Sequence, residues 1–141
     1  MRLLAARDYT VARLREKLAG KGFSGEDADV AIVRLEGEGW ISDRRFAERF
    51  AEAAVTSGRF YGPRLRQEMR RRGVSSELVD EILRRVREEF DEVDELRSVI
   101  VRRYPGFVFS TAGDKEKRRV IGWLQRRGFG MSAVMQALRE P

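Results

Sequence analysis

Gly58-Arg-Phe-Tyr-Gly-Pro-Arg-Leu-Arg-Gln-Glu-Met-Arg-Arg-Arg-Gly73 contains a complete helical segment between two turns. The spacing predicts that Gly62 is the N-cap, that Pro63 occupies the first helical position, and that Gly73 follows the helix end. One apolar stripe recurs every four residues, at Tyr61, Leu65 and Met69. Consecutive helical residues differ by about 100°, so the three arginines before Gly73 cannot share one side of the helix. At least two of them must face solvent or a partner.

The same pattern occurs once before this stretch and once after it. Residues 14–24 and 120–130 align with residues 65–75, and the turn glycines Gly22, Gly73 and Gly128 are spaced by 51 and 55 positions. A second amphipathic stretch follows each turn, with apolar positions Ala28, Ala31, Ile32 and Leu35; Val79, Ile82, Leu83 and Val86; and Val134, Ala137 and Leu138. Strand patterns are nearly absent. We therefore predict an all-α fold of three tandem three-helix repeats, over residues 1–41, 42–90 and 91–141.

Cap residues and apolar periodicity locate the remaining helices. Hydroxyl caps are predicted at Thr10, Ser24, Ser42, Ser75 and Thr111. The expected helices cover residues 11–21, 24–37, 43–57, 76–89, 91–103, 114–127 and 131–140, with one or two further turns in residues 1–6. In the helix after Ser42, the buried face is predicted to contain Phe46, Phe50, Ala53 and Ala54. Trp40 is expected to pack in the core, and residues 104–113 are expected to form a loop pinned onto the third unit.

Charge and composition favour an anionic partner and give no support for catalysis. The chain has 29 Lys plus Arg against 23 Asp plus Glu, a net charge of +6, and neither Cys nor His. Disulfides, Cys or His metal sites and the usual general base are therefore excluded. Paired acids such as Glu88 and Glu89 are best explained as solvated helix surfaces. We expect a non-enzymatic cytoplasmic protein that needs no cofactor and has no membrane-spanning segment.

Arginine is concentrated in the second unit. Between Arg59 and Arg87 there are nine arginines and four acids, which is a candidate phosphate-binding surface. The predicted contact residues are Arg64, Arg66, Arg70, Arg71, Arg72, Arg126 and Arg127. Three simpler explanations compete: arginine codon usage in a GC-rich genome, ion pairs along each helix, and solubility. Because the chain contains no Asn, sequence-specific base reading is not expected.

Three short motifs of this chain occur together in a known family of bacterial proteins. The matching elements are an Asp-x-x-Phe-Ala motif, a Tyr-Gly-Pro-x-x-(Ile/Leu) turn and a Lys/Arg-Gly-(Ile/Val) helix stop. In this sequence they correspond to Asp43, Phe46 and Ala47; Tyr61, Gly62, Pro63 and Leu65; and Arg72, Gly73 and Val74. A related ending occurs at Arg126-Arg127-Gly128-Phe129. With these motifs the chain resembles the bacterial RecX regulatory proteins. We interpret Asp43, Phe46, Tyr61, Gly62, Pro63, Leu65 and Gly73 as structural residues.

This resemblance implies an elongated, curved array of repeats that regulates the RecA recombinase negatively. Such a protein would bind in the groove of the RecA filament on single-stranded DNA and block filament extension. Strand exchange, ATP hydrolysis and co-protease activity in the SOS response would then be inhibited. The implied state is a monomer without a membrane partner, and double-stranded DNA is a second nucleic-acid ligand to consider. The family offers no catalytic residue.

Two other functions agree with the residues alone. A stand-alone, non-sequence-specific nucleic-acid-binding module would bind bare DNA with a steep salt dependence. A helical-repeat adaptor for a different protein would bind DNA weakly and present an apolar groove. Neither alternative requires a recombinase.

Overall fold

The computed structural model of the chain describes residues 8–140, where it contains eight α-helices and no β-strand. The helices are α1 (Val11–Gly20), α2 (Gly25–Gly37), α3 (Asp43–Ser57), α4 (Gly62–Arg71), α5 (Ser76–Glu89), α6 (Glu92–Arg103), α7 (Asp114–Arg126) and α8 (Met131–Arg139). The all-α prediction is confirmed over this part of the chain. The helical turns predicted for residues 1–6 lie outside it.

Most helix starts coincide with a side-chain cap. The capping oxygens belong to Thr10, Ser24, Ser42, Ser75 and Asp91, and each accepts a hydrogen bond from the backbone N–H three residues later. These contacts satisfy N–H groups that have no partner within the helix. The caps predicted at Thr10, Ser24, Ser42 and Ser75 are therefore confirmed.

Two predicted caps are wrong. The N-cap of α4 is Tyr61 rather than Gly62, because the Tyr61 carbonyl accepts from the N–H groups of Arg64 and Leu65. The N-cap of α7 is Gly113, which has no side chain to offer. Thr111 does not cap that helix, since its hydroxyl donates to the Val108 carbonyl at 3.4 Å and closes the preceding loop instead.

Buried apolar side chains form two clusters. The smaller cluster belongs to the first unit and contains Leu14, Leu18, Ala28, Ile32, Leu35 and Ile41, with Trp40 packed against it. The larger cluster contains buried residues from every helix from α3 to α8, between Ala47 and Leu138. The second and third units therefore share one core, whereas the first unit has its own. Phe107 and Phe109 of the loop between α6 and α7 are half-buried against the larger cluster, as predicted.

The buried face of α3 agrees with the prediction only at Ala54. Its buried residues are Ala47, Ala51, Ala54 and Val55. Phe46 and Phe50 are only half-buried and stack on each other at 5.9 Å between ring centroids, while Ala53 is exposed. Small side chains allow close approach of the neighbouring helices, and the two large rings lie at the edge of that contact.

The second and third units are joined at two turns. The Tyr61 turn (Tyr61-Gly62-Pro63) packs against the Gly128 turn (Arg127-Gly128-Phe129). Tyr61 donates its N–H to the Arg127 carbonyl at 2.7 Å, and its ring stacks on Phe129 with centroids 5.0 Å apart. Gly128 has φ +105°, and a Cβ there would lie 1.8 Å from the Tyr61 carbonyl oxygen. Only glycine fits this contact.

The first and second units meet through equivalent positions. Thr10 is the N-cap residue of α1, as Tyr61 is of α4. Its hydroxyl donates to the carbonyl of Arg72, the residue before the turn glycine, where Tyr61 donates its backbone N–H to the carbonyl of Arg127. A Cβ on Gly73 would lie 2.6 Å from Ala12 Cβ. The carboxylate of Asp43 accepts from the Val11 N–H at 2.8 Å, which adds a second link. One head-to-tail contact is therefore used twice along the chain.

Thr10→Val is expected to lower the free energy of unfolding by about 1–3 kcal/mol. Thr10 is fully buried, and its hydroxyl both caps α1 and satisfies the Arg72 carbonyl. Valine preserves the volume but leaves a buried acceptor without a donor. Urea unfolding measures the loss, and Thr10→Ser, which keeps the hydroxyl, should recover most of it. Equal stability of the valine and serine variants would contradict this role.

Candidate nucleic-acid interface

Three of the seven predicted contact arginines converge on one buried carboxylate. Glu68 is 4% exposed. Its carboxylate oxygens lie 2.8 Å from Arg72 Nη1, 3.3 Å from Arg64 Nη2 and 3.8 Å from Arg71 Nη1. The hydrogen bond from Arg72 is the main cause that holds the pKa of Glu68 below its ordinary value, with the charges of Arg64, Arg72 and Arg71 adding to it. This carboxylate orders the arginines and neutralises part of their charge.

Glu68→Gln should reduce the stability of the protein at neutral pH by about 1–3 kcal/mol, because a charged acceptor is replaced by a neutral one. The folded-state pKa of Glu68 is lowered, so its stabilising contribution is complete above the unfolded pKa of about 4.3 and disappears as pH falls through the folded value. The stability difference between wild type and variant should therefore narrow below about pH 4. Urea unfolding across pH 7 to 3 tests this, and a difference independent of pH would contradict it.

The other two predicted residues on α4 have different partners. Arg66 forms an ion pair with Asp80 on α5, and Arg70 donates from Nη1 to the Val74 carbonyl at 2.7 Å. Both Arg66 and Arg70 remain exposed to solvent. Arg66 and Arg70 therefore form an outer basic face that is separate from the Glu68 cluster.

Arg64, Arg126 and Arg127 come together in a groove between the second and third units. We call it the inter-unit groove; it has a volume of about 1030 Å³. Its walls are the Tyr61 turn, the end of α5, the end of α7 and the Gly128 turn. The lining residues are Tyr61, Gly62, Pro63, Arg64, Gln67, Leu83, Val86, Arg87, Glu92, Gln125, Arg126, Arg127, Gly128, Phe129 and Gly130. The prediction grouped these arginines by their charge alone. The contact between the Tyr61 turn and the Gly128 turn explains why they line one groove.

The inter-unit groove is strongly basic. Four guanidinium groups line it, and the lining includes one acid, Glu92, whose carboxylate accepts from the Gly130 N–H at 3.0 Å. Within residues 8–140, Arg87 and Arg126 make no ion pair with a carboxylate. A concave surface with surplus positive charge attracts phosphate or carboxylate groups.

Arg87 was absent from the predicted contact set. It lies in the last turn of α5, where a basic residue is expected to interact with the helix dipole. The arginine count of the second unit included it, but only the packing of the Tyr61 turn on the Gly128 turn places it in the same groove as Arg126. No spacing rule within one helix could have identified that pair.

The motif residues have structural positions. Leu65 is fully buried, Tyr61 is 7% exposed, and Phe46 packs at the edge of the larger core. Burial raises the pKa of the Tyr61 phenol, which therefore stays neutral at physiological pH. Together with the contacts of Asp43 and Gly73 described above, these positions maintain the two junctions.

Residues 8–140 contain no group of three or more His, Cys, Asp or Glu side chains placed to hold a metal ion. In the same range, no helix combines the length and apolar character needed to cross a bilayer.

Comparison with known proteins identifies the family of the chain. Models of the first, second and third three-helix domains of RecX match residues 1–35, 42–83 and 91–138, so three such domains tile the chain. The regulatory protein RecX of Trichlorobacter lovleyi is 46% identical over 136 residues, which cover 96% of this chain and 88% of the relative. RecX of Syntrophotalea carbinolica is 35% identical over 140 residues, covering 99% of this chain and 92% of that protein. RecX of Thermus thermophilus is 38% identical over 140 residues, covering 99% of this chain and 87% of that relative. The chain belongs to the RecX family of regulatory proteins.

Proposed function

We propose that this protein is a negative regulator of the RecA recombinase. It binds the groove of the RecA filament on single-stranded DNA and blocks filament extension, which inhibits strand exchange, ATP hydrolysis and co-protease activity. The observation that carries the proposal is the match of RecX domain models to all three units, together with 46% identity to a RecX regulatory protein. In this role the protein is a non-catalytic cytoplasmic monomer that acts in homologous recombination and DNA repair.

The arrangement of the units supports binding to a polymer. The proposed boundaries are residues 1–41, 42–90 and 91–141, and the two junctions use the same head-to-tail contact. Repetition of one such contact produces an extended array, which we propose is curved along the filament. An array that touches several RecA protomers at once gains affinity by multivalency.

We assign the two basic surfaces different roles. Arg64, Arg126 and Arg127, with Arg87, line the inter-unit groove and contact DNA phosphates in this proposal. The outer basic face of Arg66 and Arg70 contacts DNA or acidic groups of the filament, together with Arg71 and Arg72 of the Glu68 cluster. The side chain of Arg71 is 71% exposed although it faces Glu68 at 3.8 Å, so most of its surface is available to a partner.

Simultaneous charge reversal of Arg66, Arg70 and Arg71 to Glu is expected to weaken inhibition of the filament ATPase by about tenfold. The effect should be moderate because Arg66 and Arg71 are already paired with acids of this chain. Circular dichroism confirms whether the variant folds. Unchanged inhibition by a folded triple variant would remove the outer basic face from the mechanism.

A binding experiment with three immobilised ligands separates the proposed function from its alternatives. The purified protein is passed over bare single-stranded DNA, over RecA alone, and over RecA-coated single-stranded DNA in about 0.15 M salt. Strongest retention on the coated strand supports the regulator. Equal retention on bare and coated strands would indicate a stand-alone nucleic-acid-binding module, and absence of retention on all three would indicate an adaptor for another protein.

A further inference from the structure

Trp123 and Tyr104 form an aromatic pair on the third unit that is flanked by arginine. The Tyr104 and Trp123 rings meet edge to face, with centroids 5.9 Å apart at 89°. Arg127 Cζ lies 4.6 Å from the Trp123 ring centroid, and Arg103 Cζ lies 5.4 Å from the centroids of both rings. Both aromatic residues are half-buried against the larger core, so each keeps part of its surface in solvent.

The surroundings of this pair are basic. Arg119 and Trp123 lie four residues apart on α7, and Arg127, the C-cap residue of that helix, continues the same spacing. Among the described residues 8–140, no ion pair with a carboxylate engages Arg103, Arg119 or Arg127. This differs from α4, where Glu68 and Asp80 pair with the arginines. These guanidinium groups have no carboxylate partner, so their positive charge is available to a ligand, while Arg103 and Arg127 also lie over the aromatic rings.

The aromatic pair is also continuous with the inter-unit groove. Arg127 contacts the Trp123 ring and lines the groove at the same time. A strand whose phosphates lie along Arg126 and Arg127 would therefore bring its bases beside Trp123. Phosphate contacts alone would not require an aromatic surface at this position.

We propose that Trp123 and Tyr104 form a stacking platform for the bases of single-stranded nucleic acid, with phosphates held by Arg103, Arg119 and Arg127. This inference rests on the proposed function, which supplies single-stranded DNA as a ligand, and adds base contacts to it. Bases of any sequence present a π face to an aromatic side chain, which agrees with a chain that lacks Asn. Duplex DNA keeps its bases stacked internally and cannot use the platform. The Arg127 guanidinium lies over the Trp123 ring at 4.6 Å, so a base that stacks there takes its place as Arg127 moves to a phosphate of the strand.

The first test uses an oligonucleotide of thymidines and an abasic oligonucleotide of the same length, which has the same phosphates and no bases. The unaltered protein should bind the thymidine strand about tenfold more tightly, since each stacked base contributes substantially to affinity. Equal affinity for the two strands would overturn the platform, because binding would then depend on phosphates alone.

The second test reports on the platform itself. The chain has two tryptophans, so Trp40→Phe leaves Trp123 as the single tryptophan emitter. Thymidine strands should quench Trp123 fluorescence at saturation, and abasic strands should leave it nearly unchanged. Equal quenching by the two strands, or no quenching by either strand, would overturn the proposal. This test leaves Trp123 itself unmutated.

A matched pair of variants then locates the effect. Trp123→Leu should lose the tenfold preference for bases while its affinity for the abasic strand stays the same. Trp123→Phe keeps an aromatic ring and should retain most of the preference. A leucine variant that keeps the full preference would overturn the assignment, and thermal unfolding identifies a variant that has not folded.

Failure of the platform and failure of the proposed function give different results. If the protein inhibits RecA but binds the two strands equally, the stacking platform is wrong and the proposed regulatory function is retained. If it prefers the thymidine strand but does not inhibit RecA, the stacking platform is retained and the proposed function is wrong. Binding of neither strand by an active inhibitor would mean that the basic aromatic surface contacts an acidic protein surface, which contradicts the platform.

Discussion

Gly128→Ala is expected to destabilise the protein by about 3–5 kcal/mol through backbone strain and steric overlap. Gly128 has φ +105°, and an added Cβ would lie 1.8 Å from the Tyr61 carbonyl oxygen and 2.8 Å from the Tyr61 carbonyl carbon. Both are backbone atoms of the Tyr61 turn, so they cannot rotate away as a flexible side chain could. The second and third units share one core, and separation at this turn should weaken both.

A matched control exists in the first unit. Gly22 occupies the equivalent turn position and has φ +93°, but a Cβ there would meet no atom within 4 Å. Gly22→Ala therefore introduces the conformational strain without the steric overlap and should cost only about 1–2 kcal/mol. The difference between the two variants isolates the junction contact.

Urea unfolding with circular dichroism measures both variants. The Gly128 variant should be clearly less stable than the Gly22 variant. It should also lose the stacking between Tyr61 and Phe129, whose centroids are 5.0 Å apart in the native protein. Equal losses at the two positions would mean that the close approach of the Tyr61 turn to the Gly128 turn does not contribute to stability.

The second large effect is expected in the inter-unit groove. Arg87→Glu combined with Arg126→Glu should weaken binding to single-stranded DNA by about 100-fold at physiological salt. Two guanidinium groups that line the groove would become carboxylates, in a concave surface where repulsion of phosphate is poorly screened. The dependence of log K on log salt should become shallower by about 1.4, the value expected for two lost phosphate contacts on a single strand.

The control for this variant changes the same amount of charge elsewhere. Arg49 on α3 and Arg84 on α5 are exposed and do not line the groove. Arg49→Glu with Arg84→Glu lowers the net charge equally, so it should reduce affinity only through the long-range field. DNA binding by fluorescence anisotropy at several salt concentrations compares the two double variants. Equal losses would show that net charge, and not the inter-unit groove, determines binding.

The helices could be predicted because their signals are local. A hydroxyl before each apolar run and a glycine after the run mark the start and end of α1 and α2, and these features depend on neighbouring residues alone. The same reasoning was right for Ala54 of α3 but not for the rest of its predicted face, since Phe46 and Phe50 fit the helical period as well as Ala47 and Ala51 do. The prediction used that period alone, whereas close helix packing buries the alanines.

The site could be predicted only in part because its geometry arises between units. Charge counts identified Arg64, Arg126 and Arg127, which do line one groove. They could not identify Arg87, and they treated Arg72 as a free phosphate ligand although it donates to Glu68 at 2.8 Å. A single acid among many arginines gives no indication in the sequence that it will be buried. The pairs of Glu68 with Arg64 and Arg72 follow the i,i+4 spacing of one helix, as the competing explanation by helical ion pairs predicted. The burial of Glu68 is the part that depends on tertiary packing.

The most direct test of the central claim is the rate of DNA-dependent ATP hydrolysis by RecA as a function of the concentration of this protein. A regulator that blocks filament extension should stop hydrolysis at concentrations far below one molecule per RecA protomer, because each bound molecule prevents the addition of many protomers. The Gly128→Ala variant should lose this potency, whereas Gly22→Ala should retain it. Undiminished hydrolysis, or inhibition that appears only when the protein is abundant enough to cover the bare strand, would contradict the account.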